Sequence, residues 1–264
     1  MITATTMRIM AMMVTNMAVD RRCGLHDLPV LAPPGEPALS PAALYRLMTW
    51  LSPAYPVGAF AYSSGIEWAV EAGDIRDLRT LGNWLETMLS DGAGMSDGIF
   101  FCCAYRTIAN EDERGLVEVA ELAAAFAPTR ERHLETTAQG RAFMETTQAA
   151  WPCPALETLR SVWSGAVAYP VAVATACVGY DIPLAPALRA FLTAVIANWV
   201  SAGVRLIPLG QTDSQRALKS LEPTVALVAS RALDATLDDL GGATFRADLS
   251  SALHETQYTR LFRS

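Results

Sequence analysis

The fold of this chain is decided by the stretch DLRTLGNWLETML, which covers residues 77–89. Its apolar residues recur at intervals of three and four positions, so they fall on one face of a helix. Asp77 opens the stretch and carries the short acceptor side chain that caps the first backbone N–H groups of helices. The stretch therefore predicts an amphipathic α-helix that begins after Asp77.

The segment before this helix shows the same period. Ser40 is a capping residue, and Pro41 suits the first helical turn, where the missing backbone N–H is not needed. We expect a helix that begins there and ends before Pro53, with one apolar face formed by Leu44, Leu47, Met48 and Leu51. A short helix then passes through Glu67 and ends at Gly73.

The chain after residue 90 keeps a helical period almost to its end. Further helices are predicted at about residues 95–109, 113–127, 129–150, 155–165, 170–179, 186–206, 214–221, 223–240 and 247–258. No run of alternating β-branched residues bounded by turns indicates a strand. We therefore predict an all-α fold, a single irregular bundle of about ten helices.

The first forty residues differ from the rest. They show no helical period and end in the proline-rich run Pro33–Pro37. Such a composition favours a flexible linker over a packed element. The predicted organisation is a disordered N-terminal arm over residues 1–40 and one all-helical domain over residues 41–264.

The composition excludes several classes of partner. Hydrophobic residues make up 52% of the chain and charged residues only 18%, which indicates much surface buried in a core or against other proteins. The net charge of −7 supplies no basic field for nucleic acid or for an anionic membrane. The longest uncharged stretch, residues 161–180, is interrupted by Pro170 and predicts buried helices instead of a membrane span.

The sequence offers little material for catalysis or metal binding. Its five cysteines form no CxxC pair and indicate reduced thiols in a cytoplasmic protein. Three histidines are too few for an obvious transition-metal site. No phosphate-binding glycine loop occurs, and Ser63, Ser64 and Gly65 lack the GxSxG pattern of a hydrolase. We therefore predict no catalytic site, no metal site and no cofactor.

A charged helix start at residues 129–135 leaves two interpretations open. His133 lies between Glu131 and Glu135, which share a face at a spacing of four residues. These residues form either a solvated face or a face that docks another protein. The sequence does not separate the two.

Two other segments have the character of an interface. The loop at residues 52–62 combines prolines and glycines, which restrict the backbone, with the aromatic residues Tyr55, Phe60 and Tyr62. At the other end of the sequence, residues 254–264 interleave apolar residues with arginines, although chain ends are usually polar. This end is therefore predicted to dock, onto the protein's own body or onto a partner.

These segments resemble the urease accessory protein UreF family, over residues 44–264. The resemblance rests on four separated matches in the same order: Trp50–Pro53 with Pro56–Ser63 and Gly65–Glu67; Glu135, Gln139 and Gly140; Asn198–Gln211; and His254–Phe262. The family often has histidine where this chain has Ser64. The partner-binding residues that the resemblance implies are Pro56, Gly58, Phe60, Tyr62, Glu67, Arg205, Gln211, His254, Glu255, Tyr258, Arg260 and Arg263.

The resemblance implies a function as well as a fold. It implies an all-helical, non-enzymatic adaptor that forms a homodimer and joins the accessory protein UreD, also called UreH, and the GTPase UreG. That assembly helps to insert nickel into apo-urease. Regulation of the GTPase is a further implication, for which Arg130, Arg132 and Arg205 are candidates. A direct nickel carrier and a stand-alone helical hydrolase remain as alternatives.

Overall fold

The computed structural model describes residues 38–264, and the predicted arm up to residue 37 lies outside the described residues. The described part contains eleven α-helices, two short 3-10 turns and no strand, so the all-α prediction is confirmed. In chain order the helices are α1 (Pro41–Trp50), α2 (Ile66–Glu71), α3 (Leu78–Asp91), α4 (Ala93–Ala109), α5 (Glu113–Ala125), α6 (Arg130–Ala150), α7 (Pro154–Val162), α8 (Tyr169–Gly179), α9 (Leu184–Leu206), α10 (Gln211–Asp234) and α11 (Phe245–His254).

Short polar side chains set the beginnings of several helices. The Ser40 hydroxyl accepts the Ala43 N–H at 3.1 Å at the start of α1. The Asp77 carboxylate accepts the Thr80 N–H at 2.7 Å at the start of α3. Both helices begin where the sequence predicts, because each cap satisfies a backbone donor that has no partner within its helix.

Helix α8 forms the centre of the bundle. Every residue from Pro170 to Cys177 is buried, because α4, α6, α7 and α9 pack around this helix. Three of its side chains are alanines, Ala172, Ala174 and Ala176, and such small residues let neighbouring helices approach closely. The uncharged stretch of the sequence thus supplies the central buried helix.

One described helix, α9, is long and apolar enough to cross a membrane on length and composition alone. Its most apolar window has a mean hydropathy of 1.4, and half of that window is buried inside the protein. It packs against α3, α4, α8 and α10. A buried core helix can also have the length and composition of a membrane span, so we interpret α9 as a core helix.

The apolar face of α1 differs from the predicted one. Leu44 and Met48 are 47% and 69% exposed, whereas Ala43, Leu47 and Trp50 are buried. The buried face is rotated by about one residue, because Trp50 fills the core beside Phe143 with its rings at 6.1 Å and nearly perpendicular. The predicted face is therefore right for Leu47, which is buried, and for Leu51, which packs against the core, but wrong for Leu44 and Met48.

Two predicted boundaries near the end of the chain are also wrong. Pro223 does not begin a helix but lies inside α10, with Leu221 and Val225 buried on either side. A proline removes a single backbone donor, and packing of the flanking turns holds the helix together across it. The last helix ends at His254, and the residues after it are not helical.

Candidate functional site

The loop between α1 and α2 lies against residues 255–264, which we call the tail. The Arg263 N–H donates to the Ala61 carbonyl at 2.8 Å, and the Ser63 N–H donates to the Ser264 carbonyl at 2.6 Å. Phe262 and Ser264 are 3% and 0% exposed. The predicted docking of this segment therefore takes place on the protein's own body.

Gly65 allows the loop to come close to α11. Its φ of 81° lies in the left-handed region, which glycine adopts without strain. A Cβ at this position would come within 2.7 Å of the Ser251 nitrogen. Only glycine therefore permits the observed approach of α2 to α11.

Glu67, in the first turn of α2, anchors the tail. One carboxylate oxygen accepts the Leu261 N–H at 2.6 Å, and the other accepts the Phe262 N–H at 2.9 Å. The second oxygen also lies 2.9 Å from Nε2 of His254. Because Glu67 is only 6% exposed, these donors replace the water that would otherwise solvate the carboxylate.

His254 joins Glu67 to a second carboxylate. Its Nδ1 lies 2.7 Å from Glu131, and the ring is fully buried. The imidazole therefore bridges the two carboxyl groups through both of its ring nitrogens. We call Glu67, Glu131 and His254 the acidic clasp. The Arg260 guanidinium also donates to Glu131, at 3.0 Å, and thereby holds the middle of the tail.

Burial and pairing act in opposite directions on Glu131. Burial raises the pKa of this carboxyl, while the hydrogen bond from His254 and the positive charge of Arg260 lower it. Burial is the largest effect. The two residues that oppose this effect of burial, His254 and Arg260, both come from residues 254–264.

A second buried cluster surrounds Ser64. Its hydroxyl lies 3.0 Å from Glu135, and it receives hydrogen bonds from Arg132 at 2.7 Å and from the Trp199 indole at 2.9 Å. Arg132 also pairs with Glu135 at 2.6 Å. The Ser264 hydroxyl donates to the same carboxylate at 3.1 Å. The cluster thus connects the loop, α6, α9 and the tail.

Arg205 forms the third attachment of the tail. Its guanidinium lies 3.6 Å from the Phe60 ring centre and 4.0 Å from the Phe262 ring centre. It also donates to the Phe60 carbonyl at 2.9 Å. Partial burial lowers the pKa of Arg205, and the negative charge of Glu67 opposes that effect. This arginine therefore links α9 to both the loop and the tail through cation–π contacts.

The charged start of α6 is not a solvated face. Glu131 and Glu135 are 5% and 4% exposed, and both accept hydrogen bonds from the tail. The solvated-face interpretation is therefore wrong for these two residues. The sequence does contain a signal of this burial, because the spacing of Glu131, Glu135 and Gln139 places three polar groups on one face of α6. All three residues are buried.

The twelve partner-binding residues of the prediction fall into two groups. Tyr62, Glu67 and His254 are buried within the fold, and Arg205 is partly buried between two rings. The others are exposed: Pro56, Gly58, Phe60, Gln211, Glu255, Tyr258, Arg260 and Arg263. Phe60 lies against Arg205, Arg260 pairs with Glu131, and the Arg263 backbone bonds to the loop. Gln211 begins α10 and makes no side-chain hydrogen bond to another described residue. The twelve do not include Glu131, Trp199 and Ser264, although the sequence analysis had noted the segments that contain them.

The chemistry of this site is that of attachment. Ser64 has no histidine among its hydrogen-bond partners, so it lacks the base that a serine nucleophile needs. Among residues 38–264, no group of three or more histidine, cysteine, aspartate or glutamate side chains is placed to hold a metal ion. Burial raises the pKa of the Cys102 thiol to about 12, which keeps it in the unreactive thiol form.

Comparisons with known proteins show the family to which the chain belongs. A model of the UreF family matches residues 75–222. The chain is 62% identical over 223 residues to a protein named urease accessory protein UreF from Rhodopseudomonas palustris strain BisB5, covering 84% of this chain and 92% of the relative. It is equally identical, with the same coverage, to a protein of that name from Bradyrhizobium diazoefficiens strain USDA 110. The chain therefore belongs to the UreF family of urease accessory proteins.

Proposed function

We propose that this chain is a cytoplasmic adaptor for urease maturation. It binds a UreD-type accessory protein and a UreG-type GTPase, forms a homodimer, and helps to insert nickel into apo-urease without catalysing a reaction itself. Membership of the family supports this role. The observation that carries it is an ordered tail with exposed apolar side chains.

The tail presents large apolar groups to solvent although its backbone is fixed. The Tyr258 ring is fully exposed and Leu261 is 65% exposed, and Phe60 in the neighbouring loop is 69% exposed. Arg260 and Arg263 are exposed beside them. Aromatic and arginine side chains are the groups enriched at protein interfaces, and exposed apolar patches often mark such sites.

The fixed backbone favours binding for a physical reason. A flexible tail would lose conformational entropy on association, and this loss would weaken the complex. Here the acidic clasp, Ser264 and Arg205 already hold the tail in place in the free protein. A partner would therefore meet Tyr258 and Leu261 in positions that are set in advance.

The tail surface can be tested without damaging the fold. The Tyr258 and Leu261 side chains make no hydrogen bond to another residue of the described range 38–264, and Leu261 meets Glu67 through its backbone N–H. Replacing both side chains with alanine therefore leaves the acidic clasp intact. We expect the double variant to lose about 2 kcal/mol or more of binding free energy to co-expressed UreD-type and UreG-type proteins, measured by size-exclusion chromatography. Leu227→Ala is the matched control, because Leu227 is 57% exposed on α10. Equal co-elution of the wild type and the double variant would contradict the proposal.

Action on the GTPase is supported by one arginine. Of the three candidates, Arg132 is paired with Glu135 and Arg205 is held between two rings. Arg130 is exposed at the start of α6, and its guanidinium makes no hydrogen bond to another described residue. It is thus the arginine best able to reach a partner's nucleotide. We expect Arg130→Ala to change the GTP hydrolysis rate of the assembled complex while leaving assembly intact.

A nickel-carrying role makes a different prediction. A carrier binds nickel when isolated, whereas an adaptor needs no site of its own. Equilibrium dialysis of the isolated chain against nickel separates the two. Stoichiometric binding that survives washing would favour the carrier over the adaptor.

A further inference from the structure

A groove on the surface of α6 is separate from the site that holds the tail. It has a volume of about 600 Å³ and lies between α6, the end of α7 and the segment at residues 163–167. The residues that α6 contributes recur at intervals of three and four positions, so they share one face of the helix: Leu134, Ala138, Arg141 and Glu145. Glu131 and Glu135, which hold the tail, lie on a different side of α6.

The two walls of the groove are held at a fixed distance from each other. Gly140 lets the segment at residues 163–167 rest directly on α6, because a Cβ at this position would collide with the Val167 carbonyl oxygen. Just after this segment, the Tyr169 N–H donates to the Thr136 hydroxyl of α6 at 3.2 Å. The shape of the groove is therefore set in the free protein, which lowers the cost of binding a partner.

Trp163 gives the groove a rigid aromatic side chain. Its indole N–H donates to the Ala166 carbonyl at 3.0 Å. The ring packs against Gly165, where a Cβ would collide with it. Trp163 nevertheless stays partly exposed. Partly exposed tryptophans and arginines are the residues that most often anchor protein interfaces.

The groove carries positive charge in a chain whose net charge is −7. Arg141 and Arg160 line it and are exposed, and neither makes an ion pair or a hydrogen bond to another residue of the described range 38–264. Glu145 is the one acidic residue on the wall. Guanidinium groups bind carboxylates through parallel hydrogen bonds, so the groove is complementary to acidic side chains.

Apolar surface lies between the charged groups of the groove. Leu134 is 47% exposed at one side, and Met144 and Val167 are buried beneath it. An occupant that carried charge alone would leave this surface in water. The groove therefore suits a segment that combines carboxylates with a large apolar side chain.

We propose that this groove docks a short acidic segment of another protein, with at least one large apolar side chain. The carboxylates of that segment pair with Arg141 and Arg160, and its apolar side chain packs beside Trp163 and Leu134. The groove shares no residue with the tail, so this inference does not depend on the proposed function.

The exposed apolar segments of this chain are less suitable occupants. Helix α1 exposes Leu44, Tyr45 and Met48 but contains no acidic residue. The tail exposes Tyr258 and Leu261 beside two arginines. A second copy of the chain would thus bring neutral or positive apolar segments to a positive groove, whereas a partner with an acidic segment matches its charge.

The test is fluorescence polarisation with labelled peptides and the full chain. The first probe is the fluorescein-labelled peptide Glu-Asp-Leu-Glu-Asp-Phe-Glu-Asp. A second peptide has lysine at each acidic position, and a third has alanine in place of leucine and phenylalanine. We expect saturable binding of the first peptide, no binding of the lysine peptide and weaker binding of the alanine peptide.

Matched variants locate the bound peptide. Arg141→Ala and Arg160→Ala should each weaken binding of the acidic peptide about 5-fold or more, because each removes one charged partner. Arg114→Ala should leave the affinity unchanged, since Arg114 is exposed on α5 outside the groove. The Tyr258→Ala, Leu261→Ala double variant should also bind the peptide normally. Thermal melting of each variant checks folding.

Several results would overturn the inference. These are the absence of saturable binding of the acidic peptide, equal binding of the lysine peptide, unchanged affinity in both groove variants, and equal weakening by Arg114→Ala. Binding that is lost only in the double variant would assign the peptide to the tail. If the chain binds no peptide but self-associates in sedimentation velocity, and Arg141→Ala and Arg160→Ala abolish that association, the groove is a contact between two copies.

Discussion

The attachment of the tail through Glu67 gives the sharpest quantitative prediction. Glu67→Gln keeps the size and shape of the side chain but replaces one carboxylate oxygen with an amide NH2 group. In the wild type, the two oxygens accept from the Leu261 N–H, the Phe262 N–H and His254. Glutamine has a single oxygen that can accept, so at least one of the three donors loses its partner. The remaining donors then bond to a neutral amide oxygen instead of a carboxylate oxygen.

The magnitude follows from these three contacts. A hydrogen bond to a charged group contributes about 1.5–3 kcal/mol, and a buried donor left without a partner costs about 1–3 kcal/mol. Since the three contacts share one side chain, their contributions do not add in full. We expect Glu67→Gln to lower the free energy of unfolding by about 3 kcal/mol.

The assay combines urea denaturation with hydrogen exchange of the tail. Denaturation gives the change in stability, and exchange reports whether the Leu261 and Phe262 amides lose protection. Glu71→Gln is the control, because Glu71 is exposed one turn later on α2 and should change stability by no more than about 0.5 kcal/mol. If Glu67→Gln behaves like this control and both amides stay protected, the proposed anchoring of the tail is incorrect.

Three further predictions address packing, pH dependence and the arginine stack. Gly140→Ala should destabilise the protein strongly, because its Cβ would collide with the Val167 carbonyl oxygen; Gly82→Ala, with open space around it, should gain up to about 1 kcal/mol. Thermal melts compare the two, and equal effects would contradict the close contact. Asp97→Asn should raise stability by about 1–3 kcal/mol at neutral pH, since the raised folded pKa of Asp97 penalises its charged form. Denaturation at a series of pH values measures this gain in stability. It should be complete above about pH 6 and disappear below about pH 4, where the aspartate is protonated in both the folded and the unfolded state. A gain that does not change with pH would show that the raised pKa of Asp97 is not its cause. Arg205→Lys should cost about 1 kcal/mol in the same assay, because an ammonium group cannot stack between two rings as the planar guanidinium does; an unchanged melting temperature would show that the stack contributes nothing.

Local signals in the sequence were sufficient for the fold class. Ser40 and Asp77 act within three residues of themselves, so their capping roles can be read without knowledge of the tertiary structure. The resemblance also identified the loop and the tail as important segments. What it could not give is the arrangement that joins them.

The partners in the site are far apart in the sequence. His254 meets Glu131 across 123 positions, and Ser63 meets Ser264 across 201 positions. Both residues adjacent to Glu131 in the sequence, Arg130 and Arg132, are charged, so the segment resembles a solvated surface. The same limit explains α1, where the buried face depends on which side Trp50 packs, and α10, where tertiary contacts hold a helix across Pro223.

The most direct test of the adaptor role is complementation. The chain is expressed in a urease-producing bacterium whose own UreF gene has been deleted, and urease activity and urease-bound nickel are measured in nickel-containing medium. The account predicts that both return in the presence of this chain and fall again in the Tyr258→Ala, Leu261→Ala double variant. Activity and nickel content that stay at the level of the deletion strain, although the chain is expressed and folded, would contradict it.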